Sequence, residues 1–263
     1  MEITSAENKR IKDIVKLGNK KKFRDEQGVL IVEGVHLLQE IIKSKKENLI
    51  QEIFYTEKSL MRNGGEVKKI LNKFEEYKKV LIPDFLMDKI STTKTPQGLL
   101  LVVKKPETKS FKSDNFIVLL DNVSNSDNIG SIIRNGISFG VSTFILSGES
   151  ADPWGPKAIR ASQGAHFHGN IITDYSLKDI KKEFNGKVYG TFLDKGAKSL
   201  YEINFDKKIA LCFGNEGSGI SPELEEIFDE KIYIPMENNF ESLNVSSAAA
   251  ATFSEVLRQK LKK

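Results

Sequence analysis

Three stretches of this chain place polar side chains where chemistry could be done. The first is D-N-I-G-S-I-I-R at residues 127–134, with Asn128 near its head and Arg134 at its end. The second is G-N-E-G-S-G-I-S at residues 214–221, where Glu216 sits among Gly214, Gly217 and Gly219. The third, I-P-M-E-N-N-F-E-S-L-N-V-S-S-A-A-A-A at residues 234–251, offers Ser242 and Asn244. Glycines gather where backbone must approach a ligand closely or take positive φ. Neither G-x-G-x-x-G nor G-x-x-x-x-G-K-[ST] is present, and Glu216 is a poor neighbour for phosphate. A neutral or cationic ligand fits better, such as an adenosine carrying a sulfonium. Each residue also has a plain structural role. Asn128 and Ser242 can be helix N-caps, Glu216 a loop charge, and Arg134 either reaches a pocket or faces solvent.

The elements that must position these groups alternate. Residues 116–121 (F-I-V-L-L-D) form an apolar run of the parallel-sheet kind, with further strands at 143–147, 170–172, 187–192, 208–213 and 232–234. Helices are expected at 131–140, 156–163, 177–184 and 222–228, the last capped by Ser221 with Pro222 at its first position. Pro235 ends the last strand, residues 236–241 turn, and Ser242 opens the final helix. Ala248, Ala249, Ala250 and Ala251 make one side of that helix thin enough for another backbone to come close. Such a mostly parallel sheet, covered on both faces, binds ligands beyond its C-terminal strand ends.

Upstream, residues 4–17 read as a helix with a Thr4–Glu7 capping box and Gly18 as its stop. Lys9, Arg10, Lys12, Lys16, Lys20, Lys21, Lys22 and Arg24 make the densest basic cluster, either a solvated face or an RNA-phosphate contact. Strands at 28–32, 50–55, 80–82 and 99–103 alternate with helices at 36–45, 66–78 and 83–90. The loop at 91–98 (S-T-T-K-T-P-Q-G) could meet phosphate or sugar through its hydroxyls and Lys94, or be an ordinary turn. The expected division is a basic helix and connector at 1–24, a small α/β domain at 25–104, a polar linker at 105–115 and a second domain at 116–263.

With 39% hydrophobic and 29% charged residues, the chain has the composition of a soluble globular protein. No apolar run approaches a membrane span, and the basic, polar N-terminus does not read as a signal peptide. One Cys (Cys212) excludes an internal disulfide, and with three His no cysteine-rich zinc site can form. These features point to a cytoplasmic protein without membrane or metal. His166, His168, Trp154 and Cys212 read as structural, with Trp154 anchoring a surface loop. Arg160 either touches RNA or pairs with an acid.

The three motifs, in order and spacing, resemble the signatures of the SpoU (TrmH) family of RNA ribose 2′-O-methyltransferases in the SPOUT superfamily. The first domain is similar to the family's ribosomal-protein-like substrate-binding domain. The resemblance implies an α/β fold: a trefoil-knotted domain with a mostly parallel sheet, after a small α/β domain. It also implies S-adenosylmethionine as cofactor, a homodimer with its site at the interface, and RNA as partner. By motif match, Asn128, Arg134, Glu216, Ser242 and Asn244 take the catalytic positions. Gly214, Ile234 and Leu243 hold the cofactor through backbone groups, with Thr191 and Met236 nearby. The resemblance makes Arg134 the favoured candidate for the base; a guanidinium does not normally give up its proton, so the expected role of Arg134 is instead to grip the phosphate beside the target ribose, with Glu216 and Asn128 orienting it and Asn244 positioning the ribose or the turn. The expected substrate is 23S ribosomal RNA, with tRNA or a non-catalytic ribosome-assembly role as alternatives. Asn238 and Asn239 stand where the family usually has Gly.

Overall fold

The structure is a computed structural model that describes residues 1–61, 65–74, 76–193, 196–237 and 242–262. The expected turn with Asn238 and Asn239 lies outside them. The chain forms two compact units, Met1–Glu107 with Trp154–Phe167, and Thr108–Pro153 with His168–Lys263. The segment 154–167, expected in the second domain, therefore packs with the first.

In the first unit the helices are α1 (Lys9–Asn19), α2 (Lys21–Gln27), α3 (Val35–Lys43), α4 (Glu57–Met61), α5 (Glu66–Lys73) and α6 (Asp84–Ile90). The strands β1 (Val29–Glu33), β2 (Ile50–Tyr55), β3 (Lys78–Leu81) and β4 (Leu99–Lys104) form a sheet in the order β1-β4-β2-β3. Only the β2–β3 pair is parallel. Ile11, Ile14 and Leu17 of α1 pack on Phe54, Leu100 and Val102 of the sheet. The first helix starts at Lys9 rather than residue 4. Residues 1–3 extend alongside Leu81 instead, with the Ile3 amide donating to the Leu81 carbonyl at 3.0 Å and Ile3 buried. Asn8, not Thr4, caps it by accepting from the Arg10 amide at 2.9 Å, and Gly18 lies inside it. The basic cluster is largely paired. Lys9 and Lys16 bind Asp13, and Lys12 binds Glu7.

The second unit is a seven-stranded sheet in the order β7-β6-β5-β10-β8-β11-β9, with every pairing parallel. Its elements in chain order are β5 (Phe116–Leu120), α7 (Ser126–Ser138), β6 (Thr143–Leu146), then α8 (Pro156–Ser162, which packs with the first unit) and β7 (Asn170–Ile172). After these come α9 (Ile180–Glu183), β8 (Lys187–Thr191), β9 (Lys198–Ser199), β10 (Ile209–Phe213), β11 (Glu230–Tyr233) and α10 (Val245–Leu261). Residues 116–120 and 209–213 are buried throughout, as strands covered on both faces must be. On one face Ile117, Leu119, Ala210 and Cys212 meet Phe184, Ile220 and Leu224. On the other, Phe253 of α10 sits edge-on between Phe116 and Phe213, with ring centroids 5.8 and 5.6 Å away. α10 also packs along α7.

Several expected elements differ in their bounds. Residues 177–184 split into a 3₁₀ turn (Leu177–Asp179) and α9. Residues 222–227 are 3₁₀ rather than α, and Ser221 does not cap them. Its amide instead donates to Asp121 Oδ2 at 2.7 Å, and its hydroxyl accepts from Asn122 at 3.2 Å. Trp154 is buried, edge-on to His166 at 5.3 Å, as a residue that anchors its loop rather than one that offers its ring to solvent. His166 lies in a 3₁₀ turn, with Nδ1 2.6 Å from the Ser162 hydroxyl.

Candidate active site

The strand order brings the C-terminal ends of β5, β8, β10 and β11 together. Beyond them lies a cavity of about 520 Å³. Three chain segments wall it: Thr191–Leu193 after β8, Phe213–Gly217 with Gly219 after β10, and Ile234, Met236, Ser242, Leu243, Asn244, Val245 and Ala248 around the start of α10. Of the ten site residues expected from sequence, eight line it: Thr191, Gly214, Glu216, Ile234, Met236, Ser242, Leu243 and Asn244.

Asn128 sits just behind this wall. It is buried inside the first turns of α7 and joins two cavity residues. The Asn128 carboxamide N–H donates to Glu216 Oε1 at 2.8 Å, and its oxygen accepts from the Asn244 carboxamide at 3.1 Å. Asn128 is therefore not the helix cap. Asn125 is, accepting from the Asp127 amide at 2.8 Å, because α7 begins at Ser126 and not at residue 131. At α10 the cap is Asn244, not Ser242: Asn244 Oδ1 accepts from the Ser246 amide at 2.9 Å.

Glu216 is the electrostatic centre of the wall. Its Oε2 accepts from the Ser124 amide and hydroxyl at 3.1 and 2.9 Å, and its Oε1 from the Asn125 amide at 3.1 Å. A carboxylate ahead of a helix also meets the positive end of the helix dipole. Partial burial alone would raise this carboxyl. The donors of Asn128 and Ser124 outweigh it and bring the pKa down to about 2. Within the chain, Glu216 is thus turned toward the start of α7 and not toward Arg134. Arg134 is exposed further along α7 and does not line the cavity.

The loop after β10 is held by its own backbone. The Asn215 amide donates to the Gly219 carbonyl at 2.9 Å, and the Gly219 amide returns a bond to Asn215 at 3.0 Å. This closes the loop onto Gly214 so tightly that a Cβ there would lie 2.2 Å from the Gly219 carbonyl carbon. Asn215 adds side-chain bonds, accepting from the Gly217 and Ser218 amides and donating to the Asn122 carbonyl at 2.7 Å. Sequence reasoning passed over Asn215, Ser124 and Asn125. The signal for Asn215 was its place between Gly214 and Gly217, just past a buried strand, where a short polar side chain folds a turn back on itself. Thr191 spends its hydroxyl on the Cys212 carbonyl at 2.9 Å. Cys212 is buried, and desolvation pushes its thiol well above the ordinary range. Among the described residues no group of three or more His, Cys, Asp or Glu side chains is placed to hold a metal ion.

Fold and cavity together define the class: an α/β protein that takes a small ligand at the strand ends of a parallel sheet. Residues 115–254 match the SpoU rRNA Methylase family, and residues 8–101 match the MRM3-like substrate binding domain. The chain belongs to the SpoU rRNA methylase family. It is 32% identical to the 23S rRNA (guanosine(2553)-2′-O)-methyltransferase RlmP of Bacillus subtilis, over 95% of this chain and 96% of that one. It is 28% identical to the 23S rRNA (guanosine-2′-O-)-methyltransferase RlmB of Acinetobacter baylyi, over 87% and 96%. Among solved structures, the AdoMet-bound rRNA methyltransferase of Sinorhizobium meliloti superposes with a TM-score of 0.84 at 25% identity, covering 99% of this chain and 98% of that one.

Proposed function

We propose that this chain transfers the methyl group of S-adenosylmethionine to a ribose 2′-hydroxyl of RNA, and that the RNA is 23S ribosomal RNA. The observation that carries this reading is the meeting of the three motif segments around one cavity, in a family whose relatives are named for this reaction. The residues present suit the cofactor. Gly214 leaves backbone bare at the wall, Met236 and Leu243 hold partly exposed apolar surface there, and the volume is that of a small-ligand pocket. When bound, S-adenosylmethionine supplies a methyl carbon on a sulfonium with a neutral thioether as leaving group. We assign Gly214, Ile234 and Leu243 to hold it through backbone groups, with Thr191 and Met236 beside them.

The chain's own work is then alignment and charge. Glu216 and Asn128 fix the start of α7 against the loop after β10, and Asn244 ties both to α10. Rigid placement of two reactants supplies about 7 kcal/mol or more of a barrier. A guanidinium does not give up its proton, so Arg134 grips the phosphate beside the target ribose and stabilises developing oxyanion charge. The hydroxyl proton leaves through substrate phosphate, water or Ser242. Because Arg134 is exposed and outside the cavity of its own chain, a homodimer that presents it to the partner's cavity accounts for its place. Family membership supports reading the second unit as a trefoil knot and the protein as cytoplasmic. It also supports a substrate-binding domain over residues 8–101 and a methyltransferase domain over residues 115–254, rather than a domain that starts only at residue 25.

The test is transfer of tritium from labelled S-adenosylmethionine to separated 23S rRNA, 16S rRNA and tRNA pools, beside calorimetry of cofactor binding. Label in 23S rRNA at a ribose 2′ position is expected. Label in tRNA alone would replace the substrate, and absence of cofactor binding would overturn the reading.

A further inference from the structure

We infer that a second cavity, in the first unit, binds a single-stranded nucleotide of the RNA substrate through its phosphate and ribose. The inference rests on the RNA reading above. This cavity of about 620 Å³ is lined by the loop at 92–97, the β1–α3 turn and α8. Its cations are Lys94 on the loop and Arg160 on α8. Both side chains are exposed, and neither has an ion pair among the described residues. That separates them from Lys9, Lys12 and Lys16 of α1, which are held by acids. Thr92, Thr93, Thr95, Gln97 and Gln163 add hydroxyls and carboxamides to the lining. Two cations without ion pairs among the described residues, beside the Thr95 hydroxyl and the Gln97 carboxamide N–H, suit a sugar–phosphate unit better than an apolar ligand.

The site is braced before any ligand arrives. The single carboxylate in the lining, Glu33, is engaged by the loop itself. It accepts from the Ser91 hydroxyl at 2.6 Å, the Thr93 hydroxyl at 2.7 Å and the Thr92 amide at 3.1 Å. Gln97 accepts from the Val35 amide at 3.3 Å and pins the other end of the loop to α3. The opposite wall is fixed as closely. Gly164, just past α8, lies so near α3 that a Cβ there would sit 2.6 Å from Glu40 Cβ. Arg160 and the loop are therefore set against the same helix, from segments some 60 residues apart in the chain. Because the loop that carries Lys94 and the helix that carries Arg160 are already braced, binding a phosphate between them costs the protein little freedom beyond that of the two side chains.

The experiment uses the full chain and a fluorescein-labelled single-stranded oligoribonucleotide of about 12 nucleotides, a length within common single-strand site sizes. Anisotropy is read over a salt series for wild type, Lys94→Ala, Arg160→Ala and the double variant. Each single change is expected to weaken binding about 5- to 10-fold and to lower the log–log salt slope by about 0.7. Lys94→Arg should restore binding, while cofactor affinity by calorimetry and melting temperature stay at wild-type values. A double variant with wild-type affinity and slope overturns the inference. So does displacement of the oligomer by AMP or inorganic phosphate at equal concentration, which would make this a free-anion site. If wild type itself neither binds nor methylates RNA, the RNA reading fails first; if it does both and the variants bind as tightly as wild type, this inference alone fails.

Discussion

Glu216→Gln changes one atom in the wall of the cavity and asks whether the carboxylate holds the start of α7. The carboxylate accepts from four donors, two on each oxygen. A glutamine keeps one acceptor oxygen. Its best orientation turns Nε2 toward Ser124, whose hydroxyl can rotate to accept, and leaves the Ser124 amide facing another donor. One charge-assisted bond is then lost, and the remaining ones become neutral. A bond of that kind contributes about 1.5–3 kcal/mol where water is excluded. Glu216 is exposed, so solvent recovers much of this, and a destabilisation of about 1 kcal/mol is expected. The pH dependence has a definite sign. The folded carboxyl titrates at about 2 against an ordinary 4.5, so its stabilisation is fully present above pH 4.5 and is lost as pH falls toward 2. Urea unfolding followed by circular dichroism at pH 7, 4.5 and 3 measures the gap between wild type and variant. The gap should be widest at pH 7 and should narrow below pH 4.5. A variant as stable as wild type at pH 7, or a gap that does not change with pH, would refute the account of Glu216 as an ionised clasp.

Further changes probe the wall at Gly214 and the exposed Arg134 outside it. Gly214→Ala puts a methyl 2.2 Å from backbone and opens the Asn215–Gly219 pair. Cofactor affinity should fall at least about 10-fold by calorimetry, with a stability loss of about 1–3 kcal/mol for two backbone hydrogen bonds. Arg134→Ala should leave cofactor affinity and melting temperature unchanged, because the side chain is exposed, while methyl transfer falls by about 100-fold; Arg134→Lys should recover little of it if the grip is bidentate. Mixed after unfolding and refolding together, inactive Arg134→Ala and Gly214→Ala chains should regain partial activity if each site draws on two copies. No recovery in mixtures shown to contain heterodimers would place Arg134 and its cavity in one chain.

The central strands β4, β5, β6 and β10 were legible because each is a short apolar run, and a strand buried on both faces needs nothing else, whereas β9, only Lys198 and Ser199, carries no such signal and was missed. The eight cavity residues were legible as motif positions, not as neighbours. What failed was local and physical. α7 begins at Ser126, inside a run that reads as a loop, because the amides just ahead of it, those of Ser124 and Asn125, find a carboxylate from a segment 91 or more residues away, and Asn125 caps the Asp127 amide. The reach of α8 into the first unit was equally hidden, since nothing in residues 154–167 marks a change of packing partner. Most instructive is Asn244. Sequence reasoning had to choose between a structural and a functional role for such residues. The structure divides one side chain between two jobs: Oδ1 caps α10 at the Ser246 amide, and Nδ2 donates to Asn128. The two ends can be separated. Asn244→Asp keeps a cap acceptor, good for about 1 kcal/mol, but faces the Asn128 oxygen with a second acceptor. It should therefore unfold close to wild type in urea and yet transfer methyl groups poorly, whereas Asn244→Ala should lose both. If the aspartate variant is as active as wild type, the bond from Asn244 to Asn128 has no part in aligning the site, and the wall is held by Glu216 alone.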